Sequence, residues 1–191
     1  MAELRQTHSP TSPYCGQTLG PSEIRLLLLK TDGNDLELQT ERHNIDEDID
    51  FDAISYVWGS ALPSATVICD NASLAVTPKA KEMLESLRNH KPHPDRLIWI
   101  DAICINQDDP QEKAEQIPLM SRIFSQAPSV IVWLPKWTPE LGRFMDGFPD
   151  TFARLQAVVQ GKGSYVAWPA SGDTFWIGLT DLLSSRWFQR L

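Results

Sequence analysis

The sequence predicts an α/β fold: a single domain with a mainly parallel central sheet, helices on its faces and added β-hairpins. Two short runs, 97–100 and 129–134, are apolar at almost every position, which is typical of strands covered on both faces. The segment between them has helical periodicity. Strand, helix and strand in this order predict a right-handed βαβ unit whose strands are parallel neighbours. With 191 residues, the chain is long enough to bury a core.

The helix between these strands is predicted over 110–127. Asp109 is a suitable N-cap, Pro110 suits the first helical position, and Glu112 completes a capping box. Pro118 lies inside the pattern, where it removes a backbone hydrogen bond and clashes with the preceding turn. We therefore expect a kink between Ala114 and Pro118. The predicted apolar face of this helix consists of Ala114, Ile117, Met120, Phe124 and Ala127.

The chain before this unit predicts an arm and a hairpin. Residues 1–22 are rich in Ser, Thr, Pro and Gly, and predict a flexible N-terminal arm. Residues 24–30 and 36–39 predict two strands joined by a turn at 32–35. Acidic residues dominate 32–52, which is either a solvated surface or a docking surface for a basic partner.

A third strand is predicted over 53–58 and ends at Gly59. Residues 66–69 and 73–76 predict a second hairpin. Thr77, as N-cap, and Pro78, at the first helical position, then begin a helix over 78–90. This helix and the helix over 110–127 are predicted to cover the faces of the central sheet.

After residue 134 the pattern is weaker. Residues 137–150 predict loop or a short helix, 151–160 a helix, and 173–183 a further helix or part-helix.

Composition excludes several classes of function. The net charge of −8 disfavours nucleic acid, whose phosphates select basic surfaces. No apolar run approaches the roughly 20 residues that span a bilayer. Cys15, Cys69 and Cys104 are far apart, which predicts neither disulfides nor a zinc site but suits a reducing, cytoplasmic compartment. We expect no metal, and we expect Cys69 and Cys104 to be buried, unreactive thiols.

A polar cluster is predicted at the carboxyl edge of the sheet, where open α/β folds bind ligands. It comprises residues that follow two strand ends: Trp58, Gly59, Asp101, Asn106, Gln107 and Glu112. Two interpretations stay open. The cluster is either a ligand pocket in which Asp101 accepts hydrogen bonds, or a set of side chains that tie loops together.

The central block, LIWIDAICINQDD through VIVWL at 97–134, resembles that of the fungal heterokaryon incompatibility (HET) domain. The segment FDAISYVWG at 51–59 resembles the first block of that family, and RWFQRL at 186–191 resembles the start of its third. The resemblance implies a HET domain over 23–191, truncated within the third block. It also implies a TIR/flavodoxin-like fold, because HET domains are similar in fold to Toll/interleukin-1 receptor (TIR) domains.

The resemblance implies two functions. The first is a signalling or effector module in non-self recognition and programmed cell death, acting through protein partners or self-association. The alternative is a TIR-like enzyme that hydrolyses NAD, the one reading in which a cofactor is expected. In TIR domains that hydrolyse NAD, the catalytic glutamate lies four residues after a tryptophan. In this sequence the residue four positions after Trp187 is Leu191, not a glutamate. We therefore assign no catalytic residue. Under the enzyme alternative we expect this chain to be inactive, and whether the protein is an enzyme stays open.

Motif residues complete the candidate site. The three blocks add Ser55, Gln116, Arg186 and Trp187 to the polar cluster.

Overall fold

A computed structural model describes residues 12–30, 36–59, 62–90, 96–134, 137–160 and 169–188. The chain divides into two compact units, Met1–Trp133 and Leu134–Leu191, which are described separately. The predicted turn at 32–35 lies outside the described residues. The predicted domain limits, 23–191, stay a prediction.

The first unit is built on a seven-stranded mixed sheet. Its strands are β1 (Glu23–Lys30), β2 (Glu37–Asn44), β3 (Phe51–Ser55), β4 (Ala65–Cys69), β5 (Ala72–Val76), β6 (Leu97–Trp99) and β7 (Ser129–Val132). Their order is β5-β4-β2-β1-β6-β3-β7. Five strands run in one direction, and β1 and β5 run in the other. The predicted α/β class is confirmed.

Both predicted hairpins form. β1 and β2 pair antiparallel along their whole length, from Glu23 opposite Asn44 to Lys30 opposite Glu37. β4 and β5 pair across Asp70 and Asn71, whose φ angles of 49° and 62° suit a tight two-residue turn. β4 pairs parallel with β2, so the second hairpin extends the sheet.

The order of the central strands corrects one prediction. β6 and β7 are parallel, but they are not neighbours, because β3 lies between them. Ala53 pairs with Trp99 on one side and with Val130 on the other. β3 is buried from Phe51 to Ile54, and the central position gives it a neighbour on each edge.

β7 is an edge strand of the described sheet, and this corrects a second prediction. Val130 and Val132 are 45% and 39% exposed, so one face of β7 is open. Ile131 and Trp133, which the apolar run predicts to be buried, are only partly buried. The prediction of burial is confirmed for Trp99 and for Ile100, which follows β6 directly; both are fully buried.

The helices of the first unit are α1 (Pro78–His90), α2 (Asp101–Cys104), α3 (Pro110–Gln116) and α4 (Met120–Gln126). The predicted kink is confirmed, because a 3-10 turn over Ile117–Leu119 separates α3 from α4 around Pro118. The predicted apolar face is wrong at Ala114 and Ile117, which are exposed. In α3 the buried residues are instead Glu112 and Gln116. The sequence pattern also missed the short helix α2.

The prediction of a flexible arm over 1–22 is wrong for residues 12–22. The Tyr14 hydroxyl donates a hydrogen bond to the carbonyl oxygen of Ile103 at 2.9 Å, and Leu19 is buried. These residues therefore pack against the rest of the first unit.

The second unit contains α5 (Pro139–Val159) and α6 (Thr174–Leu183). α5 begins earlier than predicted because Thr138 caps it, its hydroxyl accepting from the amide of Leu141 at 3.1 Å. The two helices pack closely at Gly178, where an added Cβ would lie 2.3 Å from the Glu140 carbonyl oxygen. In the part of the chain that the structure describes, no helix is long and apolar enough to cross a membrane.

Candidate functional site

Trp58 and Asp101 meet at the carboxyl edge of the sheet. Trp58 follows β3 and Asp101 follows β6, and because these strands are parallel neighbours their ends lie on one side. The indole Nε1 of Trp58 donates to Oδ1 and Oδ2 of Asp101 at 3.0 and 3.1 Å. Oδ1 also accepts from the amide of Ala102 at 2.8 Å. The predicted juxtaposition is confirmed; whether the cluster binds a ligand stays a prediction.

Gln107 and Gly59 extend this contact. The side-chain Nε2 of Gln107 donates to the backbone oxygen of Asp101 at 2.8 Å. Gly59 has a φ of 77°, a left-handed conformation that glycine adopts without strain, so the chain can turn directly after Trp58. We call the contact among Trp58, Asp101 and Gln107 the loop clasp, since its hydrogen bonds join the loops after β3 and β6.

Arg25 and Glu112 form a buried ion pair in the first unit. Nη1 of Arg25 lies 2.9 Å from Oε1 of Glu112, and Nη2 lies 3.3 Å from Oε2, a two-point contact. Arg25 is fully buried, and it also donates to the carbonyl oxygens of Cys104 at 2.7 Å and Gln17 at 3.0 Å. These bonds offset much of the cost of burying the charge.

Arg25 is a site residue that the sequence patterns did not predict. The one signal was an arginine inside the otherwise apolar strand EIRLLLLK. A charge in such a strand needs a buried partner, because an isolated charge in an apolar interior is very costly. The sequence could not say that Glu112 is that partner.

Glu112 therefore has a different role from the one predicted. Asp109 does cap α3, accepting from the amides of Gln111 and Glu112. The carboxylate of Glu112, however, accepts from the amide of Asn106 at 2.6 Å and from Arg25. The capping-box interpretation of Glu112 is wrong, and its carboxylate links the loop after α2 to β1.

Tyr14 covers the ion pair. The guanidinium carbon of Arg25 lies 4.9 Å from the centre of the Tyr14 ring, which is cation–π distance. Burial raises the pKa of the Tyr14 phenol well above its ordinary range. The phenol therefore stays protonated, as its hydrogen bond to Ile103 requires.

The two inner cysteines are poor nucleophiles. Burial raises the pKa of Cys104 well above the ordinary range and raises that of Cys69 to about 12. Because the thiolate is the reactive form, neither side chain is activated. Both are free and buried, which confirms the prediction of burial.

The remaining motif residues make other contacts. The carbonyl oxygen of Ser55 accepts from the amide of Trp133 at 2.9 Å. Buried Gln116 donates through Nε2 to the carbonyl oxygen of Glu23 at 2.9 Å. In the second unit, Arg186 is exposed, and Trp187 makes an edge-to-face contact with Phe188.

A small pocket of about 210 Å³ lies beside the loop clasp; we call it the edge pocket. Its lining residues are Tyr14, Tyr56, Trp58, Pro63, Leu74, Ala75, Val76, Thr77, Ala80, Ala102, Gln107 and Asp108. Within the described ranges, no group of three or more His, Cys, Asp and Glu side chains could hold a metal ion.

Two comparisons identify similar proteins. The family model described as heterokaryon incompatibility protein (HET) matches residues 51–191. Heterokaryon incompatibility protein 6, OR allele, from Neurospora crassa is 35% identical over 109 residues, which are 51% of this chain and 16% of that protein. The match thus spans about a sixth of that relative. No solved structure matches.

Proposed function

Because this chain belongs to the heterokaryon incompatibility family, we propose that it is a signalling module of fungal non-self recognition. In this proposal the module triggers programmed cell death, and it acts by docking on a protein partner or by self-association. The named relative is itself a heterokaryon incompatibility protein.

The observation that supports a binding module rather than an enzyme is how the carboxylates of the central block, 97–134, are used. Asp101 accepts from Trp58 and Ala102, and Glu112 accepts from Arg25 and Asn106. These carboxylates hold loops and a buried cation. A general acid or base needs instead to reach a substrate proton.

Acidic surface supports a protein partner. Asp46, Glu47, Asp48 and Asp50 are all exposed, and they follow β2 in sequence. Asp46 and Asp50 pair with Arg122 and Arg96, so Glu47 and Asp48 leave this stretch with an excess of negative charge. Excess charge of one sign steers a partner of the opposite sign. We therefore propose that a partner which docks here has a basic surface.

The test is inducible expression of this chain in a fungal host, with viability measured over time. We expect viability to fall. Asp101→Asn is the variant that tests the loop clasp, and Asp146→Asn, an exposed carboxylate of α5 in the second unit, is its matched control. Unchanged viability, both for the chain alone and for the chain fused to a chemically induced dimeriser, would contradict the proposal.

The same cultures test the alternative of NAD hydrolysis. We expect NAD to stay at its starting level until viability falls. NAD that falls first, and purified chain that consumes NAD, would favour the enzyme. The position four residues after Trp187 is Leu191, which lies outside the described residues.

A further inference from the structure

The edge pocket is lined by aromatic and apolar groups and by a single charge. Three aromatic residues, Tyr14, Tyr56 and Trp58, contribute to its wall. Among the described residues that line it, Asp108 is the one charged side chain, and it is exposed. Aromatic faces and a carboxylate both attract a cation, and an anion would meet repulsion from both.

The neighbouring cations do not cancel this preference. The charge of Arg25 is paired with Glu112, and its guanidinium is already placed against the Tyr14 ring. Lys79 lies near Gly59, where an added Cβ would be 3.5 Å from its side chain, but it is not part of the pocket lining.

Hydrogen bonding selects the kind of cation. The polar side chains of the lining are largely engaged with the protein itself. Nε1 of Trp58 and Nε2 of Gln107 donate to Asp101, and the Tyr14 hydroxyl donates to Ile103. The Thr77 hydroxyl accepts from the amide of Ala80 at 3.1 Å. A primary ammonium carries three N–H groups, and the one charged acceptor that the described lining offers is the carboxylate of Asp108, so such a group would lose much of its hydrogen bonding to water. A quaternary ammonium has no N–H to satisfy.

Size excludes a large ligand. At about 210 Å³ the pocket is smaller than the roughly 300–1,000 Å³ of sites that enclose a drug-sized molecule. It is too small to enclose a dinucleotide. A methylated ammonium headgroup, from a free metabolite or from a trimethylated lysine side chain, is of suitable size.

We propose that the edge pocket binds a quaternary ammonium group, held by the faces of Tyr56 and Trp58 and by the carboxylate of Asp108. This inference does not rest on the proposed role in incompatibility.

The test is titration of the purified chain, followed by calorimetry and by the indole N–H resonances. The probes are choline, its neutral isostere 3,3-dimethylbutan-1-ol, and Nα-acetyl-trimethyllysine amide. We expect choline to bind about fivefold or more tightly than the isostere, the size of effect typical of a partly desolvated cation–π contact. Tighter binding of the lysine derivative than of choline would assign the group to a protein side chain, and the reverse order to a free metabolite.

Three variants locate the site. Asp108→Asn should weaken choline binding about fivefold and leave the isostere unchanged. Asp48→Asn, a matched loss of an exposed carboxylate outside the lining, should change neither. Ala75→Leu, at an exposed lining position, should block the pocket and abolish both. Equal binding of choline and isostere, no binding of either, or full binding to Ala75→Leu would overturn the proposal.

Discussion

β6 and β7 are both parallel neighbours of β3, and in sequence both belong to apolar runs, yet they differ in burial. Ile98 and Trp99 of β6 are fully buried, whereas Val130 and Val132 of β7 are 45% and 39% exposed. β6 lies between β1 and β3, and β7 is an edge strand of the described sheet. The difference teaches that an apolar run predicts a strand but not the number of neighbours that the strand will have.

The segments after the two strands differ as well. Directly after β6 and Ile100, Asp101 forms part of the loop clasp. The loop after α2 is linked to Arg25, because Glu112 accepts hydrogen bonds from both the amide of Asn106 and Arg25. After β7, the amide of Trp133 donates to Ser55 and the chain passes into the second unit. The region of β6 therefore combines a buried core with buried polar bonds, and we expect substitutions there to cost most.

Trp99→Ala should have the largest effect. Trp99 is fully buried and meets Phe124 edge-to-face, with ring centres 5.4 Å apart. Loss of a large core aromatic costs about 3–5 kcal/mol of unfolding free energy. Chemical denaturation followed by far-ultraviolet circular dichroism measures it. A loss under about 1 kcal/mol would show that β6 is not central to the core.

Glu112→Gln should cause the second largest loss of unfolding free energy. It leaves the charge of buried Arg25 without its counter-ion, which costs about 3 kcal/mol or somewhat more. The double variant Arg25→Met with Glu112→Leu removes both charges and should recover much of that loss. A double variant whose loss equals the sum of the losses of Arg25→Met and Glu112→Leu, each measured alone, would contradict a direct pairing.

Asp101→Asn should have an intermediate effect that also separates the two interpretations of the cluster. The amide keeps Oδ1 as an acceptor for Trp58 and Ala102, but it places an NH2 group where Oδ2 accepts from the Trp58 indole, so that two donors face each other, at a cost of about 1–3 kcal/mol. An unchanged melting temperature, together with lost toxicity in the fungal host, would instead favour a ligand-binding role for Asp101.

Val132→Thr should have the smallest effect. The side chain is exposed on an edge strand, and threonine keeps the β-branched shape, so we expect a change within about 0.5 kcal/mol. A loss above about 1.5 kcal/mol would mean that this face of β7 is covered, and it would remove the contrast with β6.

Local signals were sufficient for much of the fold. Asp109 with Pro110, and Thr77 with Pro78, marked helix starts that the structure contains. Pro118 marked the break between α3 and α4. These features depend on residues a few positions apart, and backbone chemistry at that range is set by the residues themselves.

The loop clasp was partly accessible. Trp58 and Asp101 could be placed together because each follows an apolar strand and parallel strands present their ends on one side. The hydrogen bond from indole to carboxylate could not be foreseen, since it depends on the rotamers of two side chains 43 positions apart.

By itself the sequence determined the seven strands, the starts of α1 and α3, the α/β class, and the two blocks whose ends meet at the sheet edge. Tertiary structure alone decided that β3 separates β6 from β7, that Arg25 pairs with Glu112, and that a small pocket remains beside Trp58. The physical reason is that strand order, buried charge pairs and cavities depend on contacts between segments that are distant in sequence. No local pattern shows which apolar strands will become neighbours or which carboxylate will pair with a buried charge.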